Sequence, residues 1–318
     1  MTLRKLPKRG KERKGKVIIM MKKNLIMWGL VGALMLILVG CSSAAKSGKS
    51  ITVGSKNFTE NIIIAHMMAD LVEAHTDLTV ERKVNLGGSN VAWTALEHND
   101  IQMYPDYTGT IVANYYQEAT GTSKETMAKT LELTAEDNLK ALGAMGFNNT
   151  YTLAVTKETA QKYNLKTYSD LVGVSDQLVL GCEFEFKDRP DGYPGLQETY
   201  NMNFKEVKGM DHGIMFRSLV EGEVDVVDAY ATDGQIKVFD LVILEDDREF
   251  FPPYDCLPII RQDTLDKYPE LEEILNKLAG KINEADMQEL NAKVDDKGMK
   301  EDVVAHDFLV SAGLIKKK

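Results

Sequence analysis

Cysteine is nearly absent from this chain: three residues in 318 cannot staple a protein of that length, so apolar burial has to hold it together. Positive charge is also scarce once the first 40 residues are set aside. Those 40 carry ten Lys or Arg and one Glu, leaving 28 basic against 47 acidic residues, a net −19, in the remainder. So acidic a body lacks the clustered cations that a phosphate backbone requires, and no nucleic-acid partner is expected. Catalytic signatures are missing too. There is no Gly-x-Ser-x-Gly elbow, and the one Ser-x-x-Lys, Ser43 to Lys46, lies in a small-residue stretch with nothing to preorganise it. His66, His75, His98, His212 and His306 are scattered, without the His/Cys spacing of a zinc site, and there is no P-loop or dinucleotide glycine fingerprint. No catalytic residue, metal or cofactor is expected. What remains is 44% apolar and 27% charged, ordinary globular values, in a chain long enough for about two domains.

The head is of a different kind. Lys22-Lys23 precedes an apolar stretch from Leu25 to Val39, and Leu38-Val39-Gly40 leads directly into Cys41. A basic start, an apolar core of about 15 residues and small residues before a cleavage point make residues 1–40 a signal peptide. The core is shorter than the ~20 residues of a spanning helix. The cysteine after Leu-Val-Gly makes a lipobox, so Cys41 is expected to be lipidated, with residues 41–50 as a flexible tether. Residues 1–19 overextend the basic region and point to a start at Met20 or Met21. The mature protein is expected on the extracytoplasmic face of a bacterial membrane, held by lipid alone. Cys182 and Cys256 then remain, either paired or as buried free thiols.

The body alternates strand and helix twice. Ser50 to Ser55 reads as a strand ending in a glycine turn, Thr59 caps a helix through Ala74, Val80 to Leu86 is a second strand closed by Gly87-Gly88-Ser89, and Ile101 to Tyr104 a third. From Tyr151 the pattern restarts, with strands at 151–155, 178–184, 224–229 and 241–244. After Pro252-Pro253, Leu257 to Ile260 is strand-like and helices follow over 264–280, 283–292 and 299–312. This predicts a mixed α/β protein with parallel strands in two lobes, one of residues 51–149 plus 255–318, the other 150–254. Leu96–Tyr107 aligns without gaps to Leu219–Tyr230, each running from a helix end through an acidic turn into a strand that delivers a tyrosine. Ligands of open α/β sheets sit outside the carboxyl ends of strands, which puts Tyr107 and Tyr230 face to face across a cleft. A single tyrosine is half-buried structure by default. Tyr107, Tyr151, Tyr230 and Tyr254 together offer several ring faces to a cation that cannot donate hydrogen bonds, such as a quaternary ammonium. Gly87-Gly88-Ser89 opens a helix and offers N–H groups to an anion, although a plain turn explains it more simply.

Gly54-Ser55-Lys56-Asn57-Phe58-Thr59-Glu60, Gly87-Gly88-Ser89 and Tyr104-Pro105-Asp106-Tyr107-Thr108-Gly109-Thr110 closely resemble the substrate-binding proteins of osmoprotectant ABC transporters, from about residue 50 to the C-terminus. The resemblance implies a two-lobed type II periplasmic-binding-protein fold with a ligand cleft between the lobes. It implies a non-enzymatic receptor for quaternary-ammonium solutes such as glycine betaine and carnitine, choline and proline betaine being further family ligands. Delivery would be to an ABC permease and through it the ATPase subunit, with the binding protein a monomer. Carried over by position, Tyr107, Tyr151, Tyr230 and Tyr254 resemble the aromatic cage. Lys56 and Thr110 resemble the holders of the ligand's carboxylate or hydroxyl end, Arg189 in Lys-Asp-Arg-Pro a second carboxylate contact, and Asn149 a contact near the cage. Two site cations would favour betaines with a carboxylate over choline. The rival reading is a receptor for another small cationic or amino-acid solute on the same fold.

Overall fold

The computed structural model describes residues 49–317. The expected signal peptide, the lipidated Cys41 and most of the tether lie outside the described residues. Two five-stranded sheets share one plan. In the first, β1 (Ser50–Gly54) runs parallel to β2 (Thr79–Lys83) and β3 (Met103–Tyr107), and β4 (Leu139–Ala141) is an edge. In the second, β6 (Val179–Glu183) runs parallel to β7 (Glu206–Met210) and β8 (Val226–Tyr230), β5 (Tyr151–Val155) lies inside and β9 (Val242–Leu244) is the edge. The sheet orders are β2-β1-β3-β10-β4 and β7-β6-β8-β5-β9, where β10 is Cys256–Arg261. The parallel strands expected are there, and one inserted strand in each sheet runs against them. β10 runs antiparallel to β3 and β4, and β5 antiparallel to β8 and β9. Both enter their sheets straight from a chain crossing, which fixes their direction.

All five residues of β3, β5 and β8 are buried, as expected of central strands covered on both faces. The helix Thr59–His75 is buried almost all round, from Ile62 to Val72, because sheet and C-terminal helices enclose it. Its N-cap is Phe58, not Thr59, and no side chain caps it. The third strand also starts two residues later than expected and continues through Pro105. Pro105 faces Pro258 across the β3–β10 ladder, and such a pair fits because each ring gives up an N–H that points away from the partner strand. The edge strand β7 and the helix Ser123–Glu136 had no clear signal. The strand is half-exposed along its length, and the helix buries Thr126, Thr130 and Thr134, residues that do not read as a core face. The hydroxyls of Thr130 and Thr134 donate to carbonyls one turn back, at 2.8 and 2.7 Å, which makes their burial tolerable. Cys182 and Cys256 are buried free thiols in different sheets.

Two crossings join the sheets, and they run side by side. Asn148 bridges Asp255, the Asn149 N–H donates to the Tyr254 carbonyl (3.0 Å), and the Tyr254 N–H donates to Asn148 Oδ1 (2.8 Å). The C-terminal helix Glu284–Asp295 adds a third tie: Asn291 and Gln288 donate to the carbonyls of Thr232 and Ala231, and Gly234 packs so closely that a Cβ there would lie 2.8 Å from that of Ala292.

Asn61 anchors the turn that leads to the cleft. Its Oδ1 accepts the Lys56 N–H (2.7 Å) and its Nδ2 donates to the Pro105 carbonyl (2.9 Å), with the side chain fully buried. Asn61→Ala strands both backbone groups in the interior. The expected cost is about 1–3 kcal/mol in urea unfolding, seen as a lower midpoint at unchanged slope; an unshifted midpoint would show that the bridge contributes nothing.

Candidate functional site

Strand ends build the site. Tyr107 closes β3 and Tyr230 closes β8, the places the internal alignment assigns them. Tyr151 pairs in register with Tyr230, and Tyr254 sits in the second crossing. The ring of Tyr151 lies 5.0 Å from that of Tyr230 and 5.4 Å, edge to face, from that of Tyr254. Phe58 links the two sides, 6.1 Å from Tyr107 and 5.3 Å from Tyr230. All four tyrosines are buried. Phe58 stood in the turn motif of the sequence, yet an apolar ring there carried no sign of its role.

Behind three of the tyrosines stands a carboxylate. The Tyr107 hydroxyl donates to Glu60 Oε1 (2.7 Å), the Tyr254 hydroxyl to Asp191 Oδ2 (2.7 Å), and the Tyr230 hydroxyl to Glu183. Burial pushes the Glu60 carboxyl up to about 7 against the hydrogen bonds that favour its charge, and burial also raises Glu183. Asn149 joins this set by donating to Glu60 Oε1 (2.8 Å) and accepting from Thr232 (3.0 Å). Spacing gave no hint of these acids, since partners lie 47 to 63 residues apart.

The two expected cations are present and already neutralised. Lys56 Nζ is 2.7 Å from Asp106 Oδ1, both side chains being buried. Asp106 also accepts from the Tyr107 N–H and from the hydroxyls of Tyr104 and Tyr115. Arg189 grips Asp191 through Nε (2.8 Å) and Nη2, and its Nη2 reaches Thr110 Oγ1 at 3.4 Å. Burial works against the Arg189 charge, but Tyr151 and Asp191 outweigh it; burial likewise works against the Asp191 charge, and Arg189 holds that carboxyl below its ordinary value. The cations behind the expected preference for betaines over choline are thus not surplus charges: each has its own buried carboxylate.

The lobes meet at Ser89. Its Oγ accepts from Lys56 Nζ (2.9 Å) and Arg189 Nη1 (3.3 Å) and donates to Glu185 Oε1 (3.0 Å), while its N–H donates to Glu185 Oε2 (2.8 Å). The glycine turn before it is thus occupied by an anion from the opposite lobe. A Cβ at Gly88 would lie 2.7 Å from Glu185 Oε2, and Gly87 has φ +140°, which disfavours other residues. His212, which no motif marked, stacks on Tyr230 at 4.9 Å with Nε2 2.9 Å from Asp233. Burial works against its charge, but Asp233 and Glu183 overcome that and raise it to about 10, so it stays an imidazolium at neutral pH. A cavity of about 270 Å³ opens beside it, lined among others by Asn57, Asn90, Glu183, Glu185 and His212. The eight predicted residues Lys56, Tyr107, Thr110, Asn149, Tyr151, Arg189, Tyr230 and Tyr254 are all buried and are linked to one another through Glu60, Glu183, Asp191, Ser89 and Phe58. The array offers aromatic faces, acids and the paired cations that neutralise them.

Known proteins share this architecture. A family described as the substrate-binding domain of ABC-type glycine betaine transport systems matches residues 49–311. The ergothioneine transport permease/ergothioneine-binding protein EgtU of Helicobacter pylori (strain G27) is 38% identical over 84% of this chain, which spans only 48% of that longer protein. The carnitine transport binding protein OpuCC of Listeria monocytogenes (serotype 1/2a, strain 10403S) is 35% identical over 86% of this chain and 91% of its own. A crystal structure of a glycine betaine/carnitine/choline ABC transporter superposes with a TM-score of 0.67 at 35% identity, covering 83% of this chain and 99% of that one. With the match spanning nearly all described residues, the chain belongs to the substrate-binding-domain family of ABC-type glycine betaine transport systems and has that family's two-lobed type II fold.

Proposed function

We propose that this protein captures a quaternary-ammonium solute between its lobes and hands it to an ABC permease and its ATPase. The observation that carries the reading is the convergence of Tyr107, Tyr151, Tyr230 and Tyr254 from both sheets and a crossing, three of them backed by buried carboxylates. An acid accepting from a tyrosine hydroxyl makes the ring more electron-rich, and a trimethylammonium bonds to ring faces without needing an acceptor. Lys56, Arg189 and His212 already lie over or stack on Tyr107, Tyr151 and Tyr230, so these rings sit in an environment that attracts cations. Lobe 51–149 plus 255–318 and lobe 150–254 would close about the paired crossings at 148–149 and 254–255. Lipidation of Cys41 would hold the monomeric receptor at the extracytoplasmic face, where compatible solutes are collected for osmoprotection. Among the described residues no helix is long and apolar enough to cross a membrane.

Glycine betaine and carnitine follow from the relatives named for them. A second reading, ergothioneine, is favoured by the relative named for it and by the cavity beside His212, where Glu183 and Asn90 offer partners to a ring bearing N–H groups. Calorimetric titration of the chain from residue 42 with glycine betaine, carnitine, choline, ergothioneine and proline separates these readings. Silence toward every quaternary amine would end the proposal.

Two further outcomes are expected. Tyr107→Ala or Tyr230→Ala weakens the preferred quaternary amine by about tenfold or more, since each desolvated ring contact is worth up to about 2 kcal/mol, while circular dichroism stays unchanged. Binding is also pH-linked. A cation favours the ionised form of Glu60, whose carboxyl is raised to about 7, so binding expels a proton near neutrality. Affinity then rises from about pH 6 to about pH 8, and Glu60→Gln flattens that rise; a pH-independent wild type would exclude Glu60 from the site.

A further inference from the structure

Glu185 holds a position that chemistry would assign to a ligand. Its carboxylate accepts the N–H and the hydroxyl of Ser89 and lies 3.7 Å from Arg189 Nη1, with Lys56 Nζ one hydroxyl away. Those donors are also the groups that would bind the carboxylate of a betaine. Ser89 follows β2 in the first lobe, whereas Glu185 follows β6 in the second, so the contact crosses the cleft. Unlike Asp106 and Asp191, which are almost completely buried, Glu185 is 22% exposed and lines the cavity of about 270 Å³ beside His212. It has room to swing away, and they do not.

We propose that Glu185 is a resident counter-anion that draws the lobes together on Ser89, with Arg189 of its own lobe beside it, and that a ligand's own carboxylate displaces. The inference rests on the binding-protein reading and specifies how that site tells its ligands apart. A carboxylate-bearing solute competes with Glu185, whereas a solute with no carboxylate leaves Glu185 in place and gains from it. Glu185 is thus a specificity residue that disfavours zwitterions relative to simple cations, and a latch between the lobes. Gly88 permits it, because any Cβ there would collide with the seated carboxylate.

Two readouts on Glu185→Gln and Glu185→Ala test this. Small-angle scattering with no solute added reads the latch: both variants are expected to show a larger radius of gyration than wild type. Titration with glycine betaine and choline reads the displacement. Any general loss from easier opening cancels in the ratio of the two affinities, and that ratio is expected to shift toward glycine betaine by about tenfold, the loss of one charge-assisted contact. An unchanged scattering profile, or equal changes for the two ligands, overturns the proposal. If wild type binds neither amine, the ligand reading fails by itself, and the scattering of the variants still decides whether Glu185 latches the lobes.

Discussion

Two cations are buried in the cleft, and everything around them follows from keeping that tolerable. An ammonium and a guanidinium taken out of water cost several kcal/mol each unless oxygen atoms replace their hydration. Asp106 does this for Lys56 and Asp191 for Arg189, and each acid is in turn saturated: Asp106 by two tyrosine hydroxyls and a backbone N–H, Asp191 by the Tyr254 hydroxyl. Losing one member of such a pair leaves an uncompensated charge, so these groups fix one another's positions. The tyrosines are held by the same bonds. Tyr107 follows Asp106 directly and Tyr254 hangs on Asp191, so the rings are placed by the electrostatics of the cations beside them.

One further donor of each cation points at the same hydroxyl. Ser89 receives Lys56 from its own lobe and Arg189 from the other, and gives its proton to Glu185. A single serine therefore completes the coordination of both ion pairs only when the lobes are together. Closure is coupled to charge satisfaction as well as to apolar burial, and an opening motion has to supply water to Arg189 and Glu185 at once. The helix Glu284–Asp295 limits how far such a motion goes, since it bonds to residues 231 and 232 while packing on the helix Thr59–His75.

Much of this was legible in the sequence because it is local. Strand periodicity stopped short of Tyr107 and Tyr230, but the alignment of 96–107 with 219–230 placed both and anticipated that β3 and β8 hold equivalent places in two sheets of one topology. The motif around Pro105 marked the tyrosine, while the proline itself obscured the strand that carries it. Glu60, Glu183 and Asp191 were not legible in their roles. They reach their tyrosines from a helix, a strand end and a loop, and although Glu60 and Glu183 both stand 47 residues before theirs, separations that long carry no local signal. His212 was passed over for the same reason: its meaning lies in Asp233 and Tyr230, both of which only folding brings near. The threonine face of the helix Ser123–Glu136 was missed because its hydroxyls are satisfied within the helix, something composition does not show.

Counting charges from sequence gave two cations and predicted a preference for a ligand carboxylate. The folded site holds those cations with no surplus, because Asp106 and Asp191 cancel them, while His212 adds a charge paired with Asp233 and Glu60 and Glu183 add acids behind the rings. Net charge therefore does not set selectivity among betaines, carnitine and choline. What distinguishes these ligands is whether a carboxylate finds donors that nothing else holds. Of the donors nearest the cleft, the N–H of Ser89 is turned toward a carboxylate that is not deeply buried and whose nearest cation, Arg189 at 3.7 Å, is already held by Asp191. Exchange at that one position costs less than breaking either buried pair, so selectivity is set there, at the contact between the lobes, while the ion pairs behind it stay intact and keep the tyrosines in place.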